Sequence, residues 1–390
     1  MTSIESFYRD AASERPIEPI PLSEPIPLEA LHTPALVIDL DQYEQNLSTM
    51  QRHLDQYDIA LRAHTKMHKC PVIARDQVKL GARGVCAAKI SEAEVMCAAG
   101  VEDVLVTSPV ASEEKIRRFM NLRLKNTGLK IVVDDATVVS RFNEIASAEG
   151  LTLQVFIDID PAMGRTGVEA GQPTLELART IAETKSLRLA GLQMYAGHCM
   201  HIEGFENRRD RYHHVMERGA ETLEMLKADG LDVSVFSGGG TGTYNIEPDL
   251  GVINELQAGS YAFMDIEYRD IGGDGTEQFT DFPVSLFVLV TAISKPQSRL
   301  VTVDGGFKSF ASDKMPPQFR DVEGVVYHWG GDEHGIIQLD NPSREIRLGD
   351  KLPMLTPHCD PTVNLHDFYF PFRDGVVSEI WPVTARGFSQ

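Results

Sequence analysis

The chain has 390 residues, of which 42% are hydrophobic, and this is enough apolar surface for a buried core and for two domains. Its formal net charge of −20 excludes a general affinity for nucleic acids or anionic membranes, because a field of that sign repels polyanions. No apolar run of about 20 residues is present, so no helix that spans a membrane is expected.

The first 31 residues are rich in proline, glutamate and serine, and they predict an extended arm that packs on a second domain. This segment carries acidic residues near its start and has no apolar stretch, which is not the pattern of a signal peptide. The five cysteines are scattered and odd in number, as is typical of reduced thiols. We therefore expect a cytoplasmic protein.

From residue 32 to residue 271, short apolar runs alternate with longer helical stretches. The runs are ALVIDL, DIALRAHT, GVCAA, DVLVTS, LKIVVDD, LQVFIDI, RLAGLQMY and VSVFSGGG. Alternation of this kind predicts parallel βα units. About eight such units in this length favour a (β/α)8 barrel over an open sheet.

Residues 272–390 have a different pattern. Runs such as FPVSLFVLV, RLVTVDGG, HGIIQL and DFYFPFRD are separated by Gly, Pro and Asp, and no long helical pattern appears. This predicts a C-terminal all-β domain, so the expected fold class is α/β followed by β.

A lysine follows the predicted strand DIALRAHT. The C-terminal ends of barrel strands face the active site, and alternation would place Arg62, His64, Lys66 and His68 on one face of an extended chain. Lys69 would fall on the opposite face. Neighbouring cations favour the neutral amine that Schiff-base formation with an aldehyde cofactor requires. Taken alone the signal is weak, because a lysine near a strand end is usually an ordinary solvated residue.

A glycine-rich turn follows the run VSVF. Its backbone amides and threonine hydroxyls predict an anion site, and barrels often bind phosphate after their last strands. The lysine of a Walker A loop is missing, and a plain turn is the alternative. Further donors are expected in the stretch QAGSYAFMD. The candidates are Gly238, Gly239, Gly240, Thr241, Gly242, Thr243, Gly259, Ser260 and Tyr261.

The stretch TPHCDPTVNLHD carries a candidate metal site. On an extended segment His358 and Asp360 project to one face, while Cys359 points away. An imidazole and a carboxylate suit Mg or Mn better than a soft thiolate site does. His366 and Asp367 are alternative ligands, and ordinary hydrogen-bonded residues are the alternative to a site of any kind.

Two further strand ends carry candidate side chains. Arg165, in IDIDPAMGRTGV, is placed either to meet an anionic cofactor oxygen or to form a structural ion pair. Tyr195, His198 and His201 follow the run RLAGLQM, and the imidazole of His201 has a suitable pH range for a general base.

Eight stretches together indicate a family: RAHTKMHK, KISEAE, DVLVTS, GRTGV, SGGGTGTY, NELQAGSYAFMD, DEHG and HCDPTVNLHD. In this order the chain resembles the D-threonine aldolase and D-serine dehydratase family of pyridoxal phosphate (PLP) enzymes, and 3-hydroxy-D-aspartate aldolases most of all. The resemblance implies an alanine-racemase-like barrel with a β-domain, paired as a homodimer. It implies PLP and a divalent metal as cofactors.

The resemblance also implies roles for individual residues. Lys66 carries PLP, Arg165 lies near its phenolic oxygen and Tyr195 near its pyridine nitrogen. His201 is the implied base for the β-hydroxyl. The implied phosphate residues are Thr241, Gly242, Thr243 and Tyr261, with Gly240, Gly259 and Ser260 in the same turns, and the implied metal ligands are His358 and Asp360.

Two reactions occur in this family, cleavage of the Cα–Cβ bond and loss of the β-hydroxyl. In the dehydratases of this family the second metal ligand resembles a cysteine, whereas this chain has Asp360 at that position. This difference favours aldol cleavage over dehydration. It also favours Mg or Mn as the metal over Zn or Co. The expected substrate is a D-β-hydroxy amino acid, with 3-hydroxy-D-aspartate giving glycine and glyoxylate, and D-threonine-type substrates as further candidates.

Three other readings remain open: a dehydratase of D-serine or D-3-hydroxyaspartate, an amino-acid racemase, and a non-catalytic PLP carrier. The substrate side chain is also open. A second substrate carboxylate would need a cationic partner, and the candidates are Arg62, Lys89, Lys308 and Arg320.

Overall fold

The computed structural model describes residues 15–390, which form two compact units. The first, called the barrel unit here, comprises Met50–Lys66, Ala74–Gly259 and Phe388–Gln390. The second, called the sheet unit, comprises the described residues up to Thr49 together with Met67–Ile73 and Ser260–Gly387. Within the described residues, no helix is both long enough and apolar enough to cross a membrane.

The described residues form 19 strands. In chain order they are β1 (Ile20–Pro27), β2 (Ala35–Asp39), β3 (Ala60–His64), β4 (Gly84–Ala87), β5 (Val104–Val106), β6 (Lys130–Val133), β7 (Leu153–Asp160), β8 (Val168–Glu169), β9 (Leu187–Met194), β10 (Val235–Gly238), β11 (Glu255–Leu256), β12 (Leu286–Gln297), β13 (Leu300–Val303), β14 (Gln318–Phe319), β15 (Val325–Trp329), β16 (Gly335–Leu339), β17 (Lys351–Leu355), β18 (Phe368–Arg373) and β19 (Val376–Pro382).

Most helices lie between the strands of the first two-thirds of the chain. They are α1 (Leu40–Asp55), α2 (Pro71–Lys79), α3 (Ile90–Ala98), α4 (Glu113–Arg123), α5 (Ala136–Ala148), α6 (Gln172–Ala182), α7 (Phe205–Ala228), α8 (Glu247–Leu250), α9 (Ile266–Arg269) and α10 (Cys359–Val363).

Eight parallel strands close into a barrel in the first unit. The order is β3, β4, β5, β6, β7, β9, β10 and β11, and β11 pairs with β3 to complete the ring. The apolar side chains of Cys86, Leu105, Val132 and Phe156 come from four consecutive strands and pack as one cluster. The predicted eight-stranded parallel barrel is confirmed.

The identity of one barrel strand differs from the prediction. The run Ala35–Asp39 forms β2, which pairs with β12 and β18 in the sheet unit. A short apolar run has the same pattern in a barrel strand and in a buried strand of another sheet, so periodicity did not separate the two. The eighth barrel strand is instead β11, whose two residues are too few to show a period. A barrel domain that begins at residue 32 is therefore wrong, and the sheet unit resumes at Ser260 rather than at residue 272.

The sheet unit is built on ten strands. Their order is β1, β19, β18, β2, β12, β13, β16 and β15, with β17 paired to β12 and β14 paired to β17. The pairs are antiparallel except for β18 with β2. Part of the expected arm, Ile20–Pro27, is the edge strand β1 against β19, and residues 1–14 of that arm lie outside the described residues. The core of this unit contains Val37, Phe287, Leu289, Phe370, Val377 and Ile380.

Candidate active site

Lys66 lies at the C-terminal end of a barrel strand, as expected. Strand β3 ends at His64, and Lys66 is exposed in the turn that follows. The ring of His64 supports this turn, because its Nδ1 lies 3.4 Å from the main-chain nitrogen of Lys66 and its Nε2 lies 3.2 Å from Oγ1 of Thr107. The extended alternation that was predicted to continue to His68 is wrong, since the strand stops at His64.

Arg62 points to the other end of the barrel. Its Nε donates to Oε1 of Glu255 at 2.8 Å, and its NH1 donates to Oδ1 of Asp103 at 2.6 Å. Glu255 is the first residue of β11 and Asp103 immediately precedes β5, so both acids lie at the N-terminal ends of strands. The expectation that Arg62 lies beside Lys66 is therefore wrong. A buried guanidinium that already pairs with two carboxylates is also a poor partner for a substrate carboxylate.

The glycine-rich turn follows β10 with a shape that requires glycine. Gly239 has a φ of +62°, in the left-handed region that side chains disfavour. A Cβ atom on Gly242 would stand 2.1 Å from the carbonyl oxygen of Met200, and one on Gly240 would meet Sδ of Met200 at 2.8 Å and the ring of Tyr195 at 3.5 Å. The turn is therefore a concave backbone surface that faces Tyr195, which fits an anion cradle.

The two threonines of this turn are buried rather than exposed. Oγ1 of Thr243 accepts a hydrogen bond from the main-chain N–H of Gly240 at 3.2 Å and lies 2.8 Å from Oε1 of Glu247. The hydroxyl of Thr243 is thus engaged inside the turn, and Thr241 is 1% exposed.

Arg165 and Tyr195 lie together. The guanidinium carbon of Arg165 is 5.4 Å from the centroid of the Tyr195 ring, a cation–π distance. Both side chains line a small cavity with Asp158, Met163 and Thr166. The sequence placed Arg165 and Tyr195 in one site, and the barrel unit brings them into contact.

Three carboxylates hold the loop that carries Arg165. Asp158 accepts from the hydroxyl of Thr166 at 2.8 Å. Asp160 accepts from the main-chain N–H of Met163 at 2.8 Å, and Asp134 accepts from the N–H of Gly167 at 3.1 Å. Asp158 and Asp160 belong to the stretch IDIDPAMGRTGV that the sequence indicated, whereas Asp134 lies outside it and was missed. Its position directly after β6 was the available signal, because strand ends face the same side of a barrel.

Asp158 is also the end of a buried polar chain. Its Oδ1 accepts from Gln193 at 2.8 Å, and Gln193 in turn accepts from Gln257 at 3.1 Å. Gln257 donates to Ser237, which donates to Glu255. Burial raises the pKa of Asp158 to about 6, against the hydrogen bonds from Gln193 and Thr166, which lower it.

The remaining candidates near these strand ends are placed as follows. His201 is half-buried in the turn after β9, with its Nε2 shielded from solvent, whereas His198 is exposed. Gly259 is the last residue of a barrel-unit segment. Ser260 and Tyr261 are buried, and the Tyr261 ring packs on Phe282 with centroids 5.9 Å apart.

His358 and Asp360 are close enough to share an ion. Nε2 of His358 lies 4.0 Å from Oδ2 of Asp360. Because metal–ligand bonds of imidazole and carboxylate are about 2.0–2.2 Å long, one cation fits between two donors at this separation. The segment is not extended as predicted, since α10 begins at Cys359 and places Asp360 in its first turn. The pair forms nevertheless, because His358 is the residue that precedes the helix.

A residue that the sequence did not single out fixes the histidine. Nδ1 of His358 lies 2.8 Å from Oδ2 of Asp313. A carboxylate on the far nitrogen orients the ring of a metal-binding histidine and sets its tautomer, so that Nε2 is left as the ligand atom. Asp313 is far from His358 in the sequence, and no local motif indicated it.

The alternative ligands are engaged elsewhere. Nε2 of His366 lies 2.9 Å from the carbonyl oxygen of Ser309, and Asp367 pairs with Arg386 at 3.0 Å. Cys359 is buried, and its main-chain N–H donates to Asp265 at 2.7 Å. Across residues 15–390, no group of three or more His, Cys, Asp or Glu side chains is arranged to hold a metal.

The cationic candidates for a second carboxylate differ in their surroundings. Lys308 pairs with Glu333, and Arg320 pairs with Asp39 at 3.0 Å. Lys89 is exposed at the start of α3, two residues after β4 ends. It therefore lies at the same end of the barrel as Lys66, on the neighbouring strand.

Two family models match the chain. Residues 38–267 match the alanine racemase N-terminal domain, and residues 285–372 match a putative serine dehydratase domain. The first match covers more than half of the chain and defines the class as alanine-racemase-like.

Similar proteins show which family within this class the chain belongs to. The chain is 37% identical to D-threonine aldolase of Arthrobacter sp., over 95% of this chain and 97% of that one. It is 36% identical to 3-hydroxy-D-aspartate aldolase of Paracoccus denitrificans strain Pd 1222, over 92% of each. The crystal structure of D-threonine aldolase from Filomicrobium marinum superimposes with a TM-score of 0.89, at 38% identity over 95% of this chain and 100% of that chain. The chain belongs to the D-threonine aldolase and D-serine dehydratase family, and the family predicted from its motifs is confirmed.

A dehydratase is a more distant relative. D-threo-3-hydroxyaspartate dehydratase of Delftia sp. strain HT23 is 29% identical over 84% of this chain and 89% of that one. A cysteine-to-alanine variant of that enzyme is described in a metal-free form, with a TM-score of 0.80 to this chain.

Proposed function

We propose that the chain is a PLP-dependent aldolase that cleaves the Cα–Cβ bond of D-β-hydroxy amino acids with the help of a divalent metal. The aldolase assignment is confirmed at the level of the family, because three relatives are aldolases and the match covers 92–97% of the length of each. The metal, the site residues and the substrate side chain are the proposed part. The observation that carries the proposed metal is the proximity of His358 and Asp360, with Nε2 and Oδ2 4.0 Å apart.

The barrel unit fits PLP at three points. Lys66 offers an exposed amine at the C-terminal end of β3 for a Schiff base. The turn Gly239–Thr243 offers a backbone cradle for the phosphate, and Arg165 offers a cation for the phenolic oxygen. Tyr195, which stacks with Arg165, is assigned to the pyridine nitrogen. When bound, PLP supplies an electron sink that accepts the pair released from the broken bond.

The remaining phosphate donors follow from the family. Gly240, Thr241, Gly242 and Thr243 belong to the cradle itself, and Thr243 acts from within it because its hydroxyl is engaged with Gly240 and Glu247. Gly259, Ser260 and Tyr261 are assigned to the same phosphate. This assignment rests on the resemblance.

His358 and Asp360 fit a hard or borderline cation. One nitrogen and one carboxylate oxygen leave most coordination positions for water and substrate oxygens, which suits Mg or Mn better than Zn or Co. Such an ion would lower the pKa of the substrate's β-hydroxyl and orient it. One solved structure of a D-threo-3-hydroxyaspartate dehydratase is of a cysteine-to-alanine variant in the metal-free form. In this chain Cys359 is buried and Asp360 is the residue near Nε2 of His358, which supports the aldolase reading over the dehydratase.

We assign a separate role to each of three side chains of the protein. His201 takes the proton from the β-hydroxyl, a role that imidazole can fill near neutral pH. Arg165 is kept in place by the carboxylates that hold its loop, so that its charge remains fixed over Tyr195. Asp313 holds the ring of His358 with Nε2 turned towards Asp360.

We assign 3-hydroxy-D-aspartate as the preferred substrate and Lys89 as the partner of its second carboxylate. Arg62, Lys308 and Arg320 are already paired with carboxylates of the protein. The ammonium of Lys89 pairs with no carboxylate between residues 15 and 390 and lies at the end of the barrel that carries Lys66. A D-threonine-type substrate would have no use for this lysine.

The experiment is a comparison of two substrates in two variants. In Lys89→Ala, kcat/KM for D-3-hydroxyaspartate should fall while kcat/KM for D-threonine is unchanged, and in Lys308→Ala neither should change. Equal losses for both substrates would remove Lys89 from substrate recognition. Release of neither glycine nor ammonia from either substrate, by protein that holds PLP and Mn, would favour a carrier or a racemase.

Two further properties are proposed, the first from the resemblance and the second from the scattered, odd number of cysteines. The protein would act as a homodimer and in the cytoplasm. Light scattering of the purified protein tests the first property, and a fluorescent fusion in the source cell tests the second.

A further inference from the structure

A buried carboxyl group lies directly behind the glycine-rich turn. Glu247, the first residue of α8, has no exposed surface. Its Oε1 is 2.8 Å from the hydroxyl of Thr243, and a Cβ on Gly239 would stand 2.3 Å from the same oxygen. Its Oε2 is buried and accepts no hydrogen bond from the part of the chain that the structure describes.

Among the described residues no cation pairs with this carboxyl group, and the buried guanidinium of Arg208 on α7 donates instead to the carbonyl oxygen of Gly242 at 2.8 Å. Two side chains act on the Glu247 carboxyl: the phenol of Tyr212 from α7 and the hydroxyl of Thr243 in the turn. The thiol of Cys199, which acts on Tyr212, is the next titratable group, and burial raises the pKa of that thiol to about 11, so it is neutral. A phosphate dianion bound on the turn would therefore add negative charge beside a carboxylate that has no counter-charge, and like charges favour protonation.

The hydrogen bonds of the turn allow two arrangements. An ionised carboxylate only accepts, so Thr243 must donate its hydroxyl proton to Glu247. A protonated carboxyl can donate to the oxygen of Thr243 instead, and the Thr243 hydroxyl is then released to donate elsewhere. The N–H of Gly240 donates to that same Thr243 oxygen, so the turn's own donors are linked to the state of Glu247.

We propose that Glu247 is a proton-coupled positioning residue, and that the turn takes up the cofactor's phosphate together with one proton on Glu247. The inference rests on the proposed function, because it assumes that the phosphate binds at Gly239–Thr243. It goes beyond that function by making cofactor loading depend on pH.

The direction of the dependence follows from the free protein. Burial raises the pKa of Glu247 to about 7, while Tyr212 and Thr243 hold it down. The bound dianion raises the pKa of Glu247 further. Between the phosphate's second pKa of about 6 and pH 7, Glu247 is largely protonated already, and the affinity changes little with pH. Above pH 7 the proton must be taken from solution, so affinity falls as pH rises, by up to about tenfold per pH unit.

Calorimetry with pyridoxine 5′-phosphate tests this on the cofactor-free protein. This ligand lacks the aldehyde and forms no Schiff base with Lys66, and its phosphate is a dianion well above its second pKa of about 6. Titrations at pH 7, 8 and 9, each in two buffers of different ionisation enthalpy, give both the Kd and the protons taken up. The unmodified protein should take up close to one proton at pH 8, with Kd rising steeply towards pH 9.

Two variants separate charge from shape. Glu247→Gln keeps a side chain that reaches Thr243 but cannot ionise, so the uptake should vanish and the Kd should change far less with pH. Asp249→Asn, on the exposed face of the same short helix, should behave like the unmodified protein. Equal uptake in Glu247→Gln and the unmodified protein would overturn the inference. Failure of the ligand to bind the unmodified protein at any pH would instead overturn the phosphate site itself.

An infrared difference spectrum of the unmodified protein tests the same inference without a variant, so it does not depend on whether a variant folds. Binding of pyridoxine 5′-phosphate at pH 8 should add the carbonyl band of a protonated carboxyl and remove a carboxylate band. Binding without that exchange of bands would also overturn the inference.

Discussion

Oδ2 of Asp313 lies 2.8 Å from Nδ1 of His358, while the other ring nitrogen of His358 lies 4.0 Å from Asp360. The histidine is thus held on one side by a carboxylate and presents its second nitrogen to another. This is the arrangement in which a protein carboxylate orients a metal-binding imidazole.

Replacement of Asp313 should therefore weaken metal binding without removing a ligand. We expect Asp313→Asn to lower the affinity for Mn by about 10–100-fold, because the ring of His358 loses its fixed orientation. Titration of metal-depleted protein with Mn measures the affinity. Asp340→Asn, an exposed carboxylate of the same unit, is the control and should bind Mn normally. Unchanged affinity in Asp313→Asn would mean that Asp313 has no part in a metal site.

The ion pair of Arg62 should be important for stability. Arg62→Met leaves Glu255 buried with only the half-exposed Arg83 as a cation, and this should cost about 3–5 kcal/mol. The double variant Arg62→Met with Glu255→Met removes the stranded charge and should be more stable than the single variant. Chemical unfolding followed by circular dichroism measures both. A double variant less stable than the single one would contradict this view of the pair.

The stability conferred by Asp158 should depend on pH. Its pKa is raised to about 6 in the folded protein, from an ordinary value of 3.8, so the folded state favours the protonated form. The benefit is full below about pH 4 and is lost as pH rises through 6. The melting temperature of Asp158→Asn, relative to the unmodified protein, should therefore increase between pH 5 and pH 8. A difference in melting temperature that stays constant with pH would show that Asp158 does not titrate in this way.

Gly242 should be required for phosphate binding. A Cβ at this position would collide with the carbonyl oxygen of Met200, so Gly242→Ala must shift the turn. We expect the Kd for pyridoxine 5′-phosphate to rise by about tenfold or more, which is ~1.4 kcal/mol. Gly251→Ala is the control, because that glycine has a φ of +59° but open space around it. Its substitution should cost some stability and leave the Kd unchanged.

The sequence predicted the barrel correctly and one of its strands incorrectly. Strand–helix alternation indicated eight parallel strands, and eight close the ring. The apolar run of β2 was counted among them, although its partners are β12 and β18, because pairing partners are not visible in a local pattern. The two-residue strand β11 was missed, since its position is set by Glu255 and Leu256 pairing with β3 and β10 rather than by periodicity.

The candidate site divides in the same way. His358 and Asp360, which belong to one motif, were predicted to lie close together, and their side chains do. Short spacing limits where side chains can point, even though the local structure is a helix start rather than an extended segment. Asp313 and Glu247 were missed, since each reaches its partner through the fold and not through the sequence. The position of Arg62 was predicted wrongly because its partners Glu255 and Asp103 are distant in sequence. They hold its side chain at the other end of the barrel.

The central claim is aldol cleavage, and the products of D-3-hydroxyaspartate test it most directly. The protein loaded with PLP and Mn should release glycine and glyoxylate in equal amounts, and Lys66→Ala should release neither. Oxaloacetate and ammonia in place of glycine and glyoxylate would contradict the account and identify the chain as a dehydratase.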